Sequence, residues 1–286
     1  MPVVKKQRPK AKRRKKGKGV LARIAPISLS SSGIKLNIYG RSATGKTTLA
    51  CTFPKPLLLI GTEDGTRSVF NVKGVKYVRL WESGELTKLI DHILDGESYK
   101  TVVLDTASSL QNMILKEVLG LEKLPAQSSW GMATQQQWGQ CALQTKERLG
   151  SLLDLASPGN AYQEQREYTP DVVIVAQERD FDTDAEGDLL MPYVASALTP
   201  SVTGWLNPAC DYICQTFIRG KMKTKVVKVG KKKIRTKKPG KGVEYCLRTA
   251  PDAVFTTKFR LPRGASLPDV IVDPSFKKIN DLIRQT

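Results

Sequence analysis

Apolar residues recur between residues 34 and 218 as short runs, separated by stretches in which they return at helical spacing. Ile34–Tyr39, Leu57–Ile60, Val75–Leu80, Thr101–Leu104, Val172–Ala176 and Tyr212–Ile218 read as strands. The most apolar of these runs lack polar alternation, which predicts burial on both faces. Between them, Leu86, Leu89, Ile90, Ile93 and Leu94 share one helical face, as do Leu110, Ile114, Leu115 and Val118. Residues 134–156 predict a longer helix, and Thr47–Thr52 a short one stopped near Pro54. This succession predicts an α/β fold with a mostly parallel central sheet flanked by helices. Past residue 218 the pattern changes. Val243–Arg248 and Val254–Arg260 read as a C-terminal β-hairpin around Ala250-Pro251-Asp252.

Charge divides the chain further. Its 286 residues carry 46 Lys and Arg against 27 Asp and Glu, a net charge of +19. Residues 1–19 hold ten basic residues and residues 219–241 hold twelve, with no acidic residue in either. The remainder is near-neutral, so the reading is an ordinary globular body with two cationic appendages. Residues 1–19 predict a disordered polybasic tail and 20–33 a linker. Residues 34–262 predict the core, interrupted by the basic insert 219–242, and 263–286 an extension with a short helix. Hydrophobic residues at 40% exclude a wholly disordered chain. No apolar run approaches the ~18 residues of a membrane helix, so no membrane partner is expected. Arg23 and Pro26 interrupt the apolar stretch that a signal peptide would need. Five cysteines without framework spacing predict reduced thiols and a cytoplasmic setting, in a bacterial or phage-infected cell. A nuclear-targeting address is a second reading of the tail. Cys210 and Cys214 lie four apart with no accompanying pair, so no zinc is expected.

The candidate chemistry lies at the first predicted strand–helix junction. Gly40-Arg41-Ser42-Ala43-Thr44-Gly45-Lys46-Thr47 fits the phosphate-loop pattern G-x-x-x-x-G-K-[ST] in full. Glycines allow a tight turn whose N–H groups face phosphate oxygens, and Lys46 reaches the terminal phosphates. The Thr47 hydroxyl ligates Mg²⁺, and Thr48 extends the nucleotide-binding set. Thr101–Asp105 delivers a carboxylate from a buried strand, the Walker B element, so Asp105 is the second residue of the metal shell. Thr106 follows, where many ATPases carry the catalytic Glu, so the base must come from elsewhere. Glu63, beyond Leu57–Ile60, is the candidate, with Asp64 its neighbour and competitor. Gln177, at the end of Val172–Ala176, is placed to bond a γ-phosphate oxygen and the attacking water. ATP and Mg²⁺ are the expected ligands.

Together these residues resemble the RecA-type ATPase core, and most nearly the compact phage-type single-strand annealing ATPases. The resemblance spans about residues 34–262. It implies that residues 40–47 are the Walker A, that Leu104-Asp105-Thr106 is the Walker B, and that Glu63 and Lys46 act in catalysis with Gln177 as γ-phosphate sensor. It also implies that Lys258 and Arg260 reach a neighbouring subunit's ATP, within a head-to-tail ring or filament of identical chains.

Nucleic acid is the partner that the charge implies. The tail Lys5–Lys18 and the segment Lys221–Lys241, read as a protruding ribbon or a disordered loop, would neutralise phosphates without base specificity. By resemblance, residues 121–140 overlap a first DNA loop, with Trp130 and Trp138 as candidate stacking platforms. Arg179–Val194, with Phe181 and Tyr193, corresponds to a second loop, although Asp180, Asp182, Asp184, Glu186 and Asp188 oppose phosphate contact. The expected function is an ATP-dependent single-stranded-DNA-binding protein of recombination, annealing or repair, with DNA-stimulated hydrolysis. The alternatives are another nucleic-acid motor (helicase, helicase loader or packaging ATPase) and a nucleic-acid-binding protein holding ATP as a structural ligand.

Overall fold

The computed structural model describes residues 32–95, 98–121, 133–157, 169–183, 189–229 and 232–284. The predicted tail, most of the linker, Trp130, Asp184, Glu186 and Asp188 lie outside them. In chain order the strands are β1 (Lys35–Gly40), β2 (Leu57–Gly61), β3 (Val75–Arg79), β4 (Thr101–Asp105), β5 (Asp171–Ala176), β6 (Glu178–Thr183) and β7 (Leu189–Ser196). They continue with β8 (Tyr212–Val229), β9 (Lys232–Arg248), β10 (Lys258–Phe259) and β11 (Val270–Val272). The helices are α1 (Lys46–Ala50), α2 (Gly84–Asp95), α3 (Ala107–Val118), α4 (Gln135–Asp154), α5 (Pro200–Ala209) and α6 (Phe276–Ile283).

The main sheet has the order β11-β9-β8-β1-β5-β4-β2-β3, with β10 also pairing β8. From β3 to β8 the pairing is parallel throughout. All six predicted strands and the predicted helices are present, in the α/β class expected. The apolar runs are buried on both faces because helices cover both. Leu58, Ile60, Val102, Leu104, Val172 and Ile174 pack on one side with α2, α3, α4 and α5. Leu57, Leu59, Val103, Val173 and Val175 pack on the other, with α1 and α6. Helix starts follow local chemistry. Thr106 Oγ1 caps α3 by accepting the Ser109 N–H, and Thr134 forms a reciprocal capping box with Gln137 at α4. Among the described residues no helix is long and apolar enough to cross a membrane, and all five cysteines are free and buried.

Two sequence expectations change, and two open readings gain a structure. The C-terminal hairpin forms between different partners: residues 243–248 pair antiparallel with Gln215–Gly220 of β8, and Lys258–Phe259 with Ile213 and Tyr212. Apolar alternation suits either pairing, and in the folded chain both segments add to β8 rather than to each other. Trp138, a candidate stacking platform, packs partly buried against the core from α4. Phe181 stacks on Tyr193, with centroids 5.1 Å apart, in a separate two-stranded sheet of β6 and β7. The basic insert is a ribbon: β8 and β9 pair out to Val229 and Lys232, with a register shift between Gly220 and Met222.

Candidate nucleotide-binding site

The phosphate loop, Glu63, Asp105 and Gln177 all emerge at the C-terminal edge of the parallel strands, where a doubly wound sheet gathers its loops. β1 ends at Gly40 and α1 begins at Lys46, so the phosphate loop bridges strand and helix. Gly40 has no alternative there, because a Cβ would stand 2.4 Å from Thr216 O and Oγ1. Gly45, the N-cap, has φ +87°, a left-handed conformation that favours glycine. The loop is pinned by the Thr44 hydroxyl, which donates to Arg41 O (2.8 Å) and shares a hydrogen bond with Thr216 Oγ1 (2.7 Å).

Lys46 is buried and curls over the loop, donating to Gly40 O (2.7 Å), Arg41 O (2.6 Å) and Gln177 Oε1 (3.2 Å). Burial pushes its ammonium pKa down, against the pull of Asp105, Glu178 and Glu63. Thr47 Oγ1 donates to Asp105 Oδ2 at 2.6 Å. Burial raises the Asp105 pKa, and the Thr47 hydrogen bond opposes that rise. This hydroxyl–carboxylate pair fits Mg²⁺, which takes few protein oxygens and completes its shell with phosphate and water. Among the described residues there is no cluster of three or more His, Cys, Asp or Glu suited to a metal.

Glu63 and Asp64 diverge. Glu63 Oε1 accepts hydrogen bonds from Thr106 Oγ1 (3.0 Å) and from Ser109 Oγ, which turns it towards the end of β4. Asp64 instead pairs with Arg79, with its side chain largely exposed. Gln177 is anchored through its backbone, its N–H donating to Ser108 Oγ at 3.0 Å. The next residue, Glu178, accepts from Arg41 Nε (2.7 Å) and Gln215 Nε2 (3.1 Å), tying the phosphate loop to β8.

Lys258 and Arg260 stand away from this constellation. Lys258 Nζ caps the end of α5, donating to the carbonyls of Asn207, Pro208 and Cys210, while Arg260 pairs with Asp211 at 2.6 Å. Within one chain, both are occupied by structural contacts.

A cavity of about 790 Å³ joins these parts. Its walls include Ser42–Leu49, Glu63, Asp64, Asp105, Thr106 and Gln177. It also takes in Tyr77, Tyr245, Asp273 and Pro274, which sequence reasoning missed. No motif marks them, because they come from a strand edge and a short strand–helix corner far along the chain.

A family model described as an AAA domain matches residues 32–261. The chain belongs to this family. The match encloses the phosphate loop, Glu63, Asp105 and Gln177, so this AAA domain is a P-loop ATPase domain. No curated protein matches the chain. Among solved structures, the flagellar accessory protein FlaH of Methanocaldococcus jannaschii is similar at 9% identity, over 85% of each chain, with a TM-score of 0.40. A KaiC-like protein of Pyrococcus horikoshii OT3 is similar at 11% identity, over 85% of this chain and 90% of that one, with a TM-score of 0.41.

Proposed function

We propose that this AAA domain is a RecA-like, Mg²⁺-dependent ATPase that binds single-stranded DNA and acts in recombination, annealing or repair. The observation that carries the catalytic part is the convergence of Lys46, Thr47, Asp105, Glu63 and Gln177 on one cavity. In hydrolysis, water attacks the γ-phosphorus, the bond to the β-phosphate oxygen breaks, and ADP and phosphate leave. Glu63 orients the water and receives its proton. The Lys46 ammonium neutralises charge on the terminal phosphates, and Gln177 bonds a γ-phosphate oxygen. Mg²⁺ held by Thr47 and Asp105 supplies further charge neutralisation when bound.

The DNA part rests on charge and topology. The β8–β9 ribbon carries the lysine-rich insert, and β8 lies directly beside β1, the strand that leads into the phosphate loop. Glu178, adjacent to the γ-phosphate sensor, touches both Arg41 and Gln215, which gives DNA and nucleotide a physical route to each other. Head-to-tail assembly into a ring or filament belongs to this reading, with Lys258 or Arg260 leaving its contacts in one chain to meet a neighbour.

The test is Mg²⁺-ATP hydrolysis with and without single-stranded DNA at two salt concentrations, with Lys46→Ala as the control. Several-fold, salt-sensitive stimulation that vanishes in the variant is expected. Hydrolysis indifferent to DNA would overturn the coupling.

A further inference from the structure

Arg248, the last residue of β9, stands opposite Gln215 of β8 at the base of the basic ribbon. Its guanidinium bonds two side chains that belong to no sequence motif. Nε donates to Gln215 Oε1 (3.2 Å) and Nη1 to Asp252 Oδ2 (2.7 Å). The planar group also lies against two rings, 5.1 Å from the Phe217 centroid and 4.4 Å from that of Phe255. A fork that bonds two acceptors while stacking on aromatic rings is a task for Arg and not for Lys.

Both partners lead to Gln177. On one arm, Gln215 Nε2 donates to Glu178 Oε2 at 3.1 Å, and Glu178 directly follows Gln177. On the other arm, Asp252 Oδ1 accepts the N–H groups of Val254 (2.9 Å) and Phe255 (3.0 Å), which shapes residues 252–256 into a strap. The strap is tied to β7: the Val194 N–H donates to Val254 O (2.7 Å), and the Thr256 N–H donates to Val194 O (2.8 Å). Three residues past Val194, the Ala197 N–H donates to Gln177 O at 2.7 Å. Tyr39, the residue before Gly40, joins the same strap, its hydroxyl 2.9 Å from Thr256 O and 3.1 Å from Val194 O. One guanidinium thus begins two chains of contacts that close on the same residue.

We infer that Arg248 is a positioning residue for Gln177, acting through Gln215 and Glu178 on one side and through the 252–256 strap on the other. The inference rests on the ATPase reading above, in which the Gln177 side chain bonds a γ-phosphate oxygen. Gln177 lies one residue past β5, so its frame comes from these cross-links rather than from the parallel ladder. A displacement of about 1 Å at such a group is enough to slow a reaction substantially. Removing the guanidinium frees both arms at once, whereas removing the Asp252 charge frees one.

The test measures single-turnover Mg²⁺-ATP hydrolysis, with and without single-stranded DNA, and equilibrium binding of the β,γ-imido ATP analogue. The proteins are the wild type, Arg248→Met, Asp252→Asn, Gln177→Ala, and each of the first two changes combined with Gln177→Ala. Met keeps the aliphatic stem against Phe217 and Phe255, and Asn keeps the oxygen that accepts from Val254 and Phe255. Arg248→Met should slow hydrolysis by about tenfold and Asp252→Asn by about threefold, with analogue affinity within about twofold of wild type. In the Gln177→Ala background neither change should slow hydrolysis further by more than about twofold, because residues that act through one group are not additive. A merely structural role would slow the reaction equally in both backgrounds, and that result overturns the inference. Hydrolysis unchanged in both single variants, or analogue binding lost together with hydrolysis, also overturns it. Melting curves report the fold; if Arg248→Met does not fold, Asp252→Asn decides alone, and unchanged hydrolysis in it overturns the inference. Hydrolysis that Gln177→Ala leaves unchanged overturns it while the ATPase reading stands. A wild type that hydrolyses no ATP, with or without DNA, overturns both.

Discussion

Lys46 Nζ reaches across 3.2 Å to Gln177 Oε1, joining the first residue of α1 to the tip of β5. Its other partners are the carbonyls of Gly40 and Arg41, so all its contacts are neutral oxygens that a charged phosphate can displace. In the proposed reading, nucleotide entry would release the Gln177 amide to the γ-phosphate. Gln177→Ala should retain ATP binding while hydrolysis falls by about ten- to a hundredfold and stimulation by DNA disappears. Paired measurements of equilibrium binding and single-turnover hydrolysis check this, and loss of binding alone would contradict it.

The neighbours Glu63 and Asp64 differ in orientation, and that difference is directly testable. Glu63→Gln should lower kcat by about 10²–10⁴ with nucleotide affinity nearly unchanged. Asp64→Asn, which removes only the partner of Arg79 on the surface, should leave kcat within about twofold. The reverse ranking would move the base to Asp64.

Lys258 holds three carbonyls at the C-terminal end of α5. Lys258→Met keeps the aliphatic stem and removes the donors, so the isolated chain should lose about 1 kcal/mol of stability. Denaturant unfolding at low protein concentration reads this loss. An unchanged midpoint would show that the contact contributes nothing to the folded chain.

Asp171 gives a pH dependence. Burial pushes its carboxyl up to about 6, despite the hydrogen bond that it accepts from Ile34 N–H. The folded chain therefore binds this proton more tightly than the unfolded chain, whose carboxyl titrates near about 4. That contribution is fully present below about pH 4 and is lost as pH rises through about 6. Asp171→Asn preserves the acceptor oxygen and removes the buried charge. It should be more stable than wild type at pH 7.5, by at most about 3 kcal/mol, with the advantage shrinking towards pH 4. Melting curves across that range check the slope.

Replacing the outer ribbon from Met222 to Pro239 by a short Gly-containing turn removes nine basic residues while leaving β8 and β9 paired nearer the core. Single-stranded-DNA affinity should fall, and the slope of log K against log salt should become shallower by about 0.7 per lost phosphate contact. Basal hydrolysis without DNA should persist. Binding titrations at three salt concentrations decide this, and an unchanged slope would place the phosphate contacts elsewhere.

Much of this protein was legible in its sequence because the signals are local. Leu57–Ile60, Thr101–Leu104 and Val172–Ala176 contain so few polar residues that only strands covered on both faces accommodate them, and helices do cover both faces. The phosphate loop is eight consecutive residues, so its chemistry survives any error about the surrounding topology. Asp105 and Gln177 were found because each directly follows a strand that periodicity had already located. What remained beyond reach depends on side chains meeting across long separations. Residues 243–248 alternate in the same way whichever strand they join, and only burial in the assembled sheet selects β8. Glu63 and Asp64 are chemically near-identical neighbours until Thr106, Ser109 and Arg79 take up positions around them. Tyr245 and Asp273 form one wall only because β11 pairs with β9 and α6 docks beneath α1. Sequence determined the strands and the phosphate-loop chemistry, since both reside in short contiguous segments. Tertiary structure alone decided which of Glu63 and Asp64 turns to the end of β4, what holds Lys258, and what lines the cavity beside the phosphate loop, since those depend on contacts between residues tens to hundreds of positions apart.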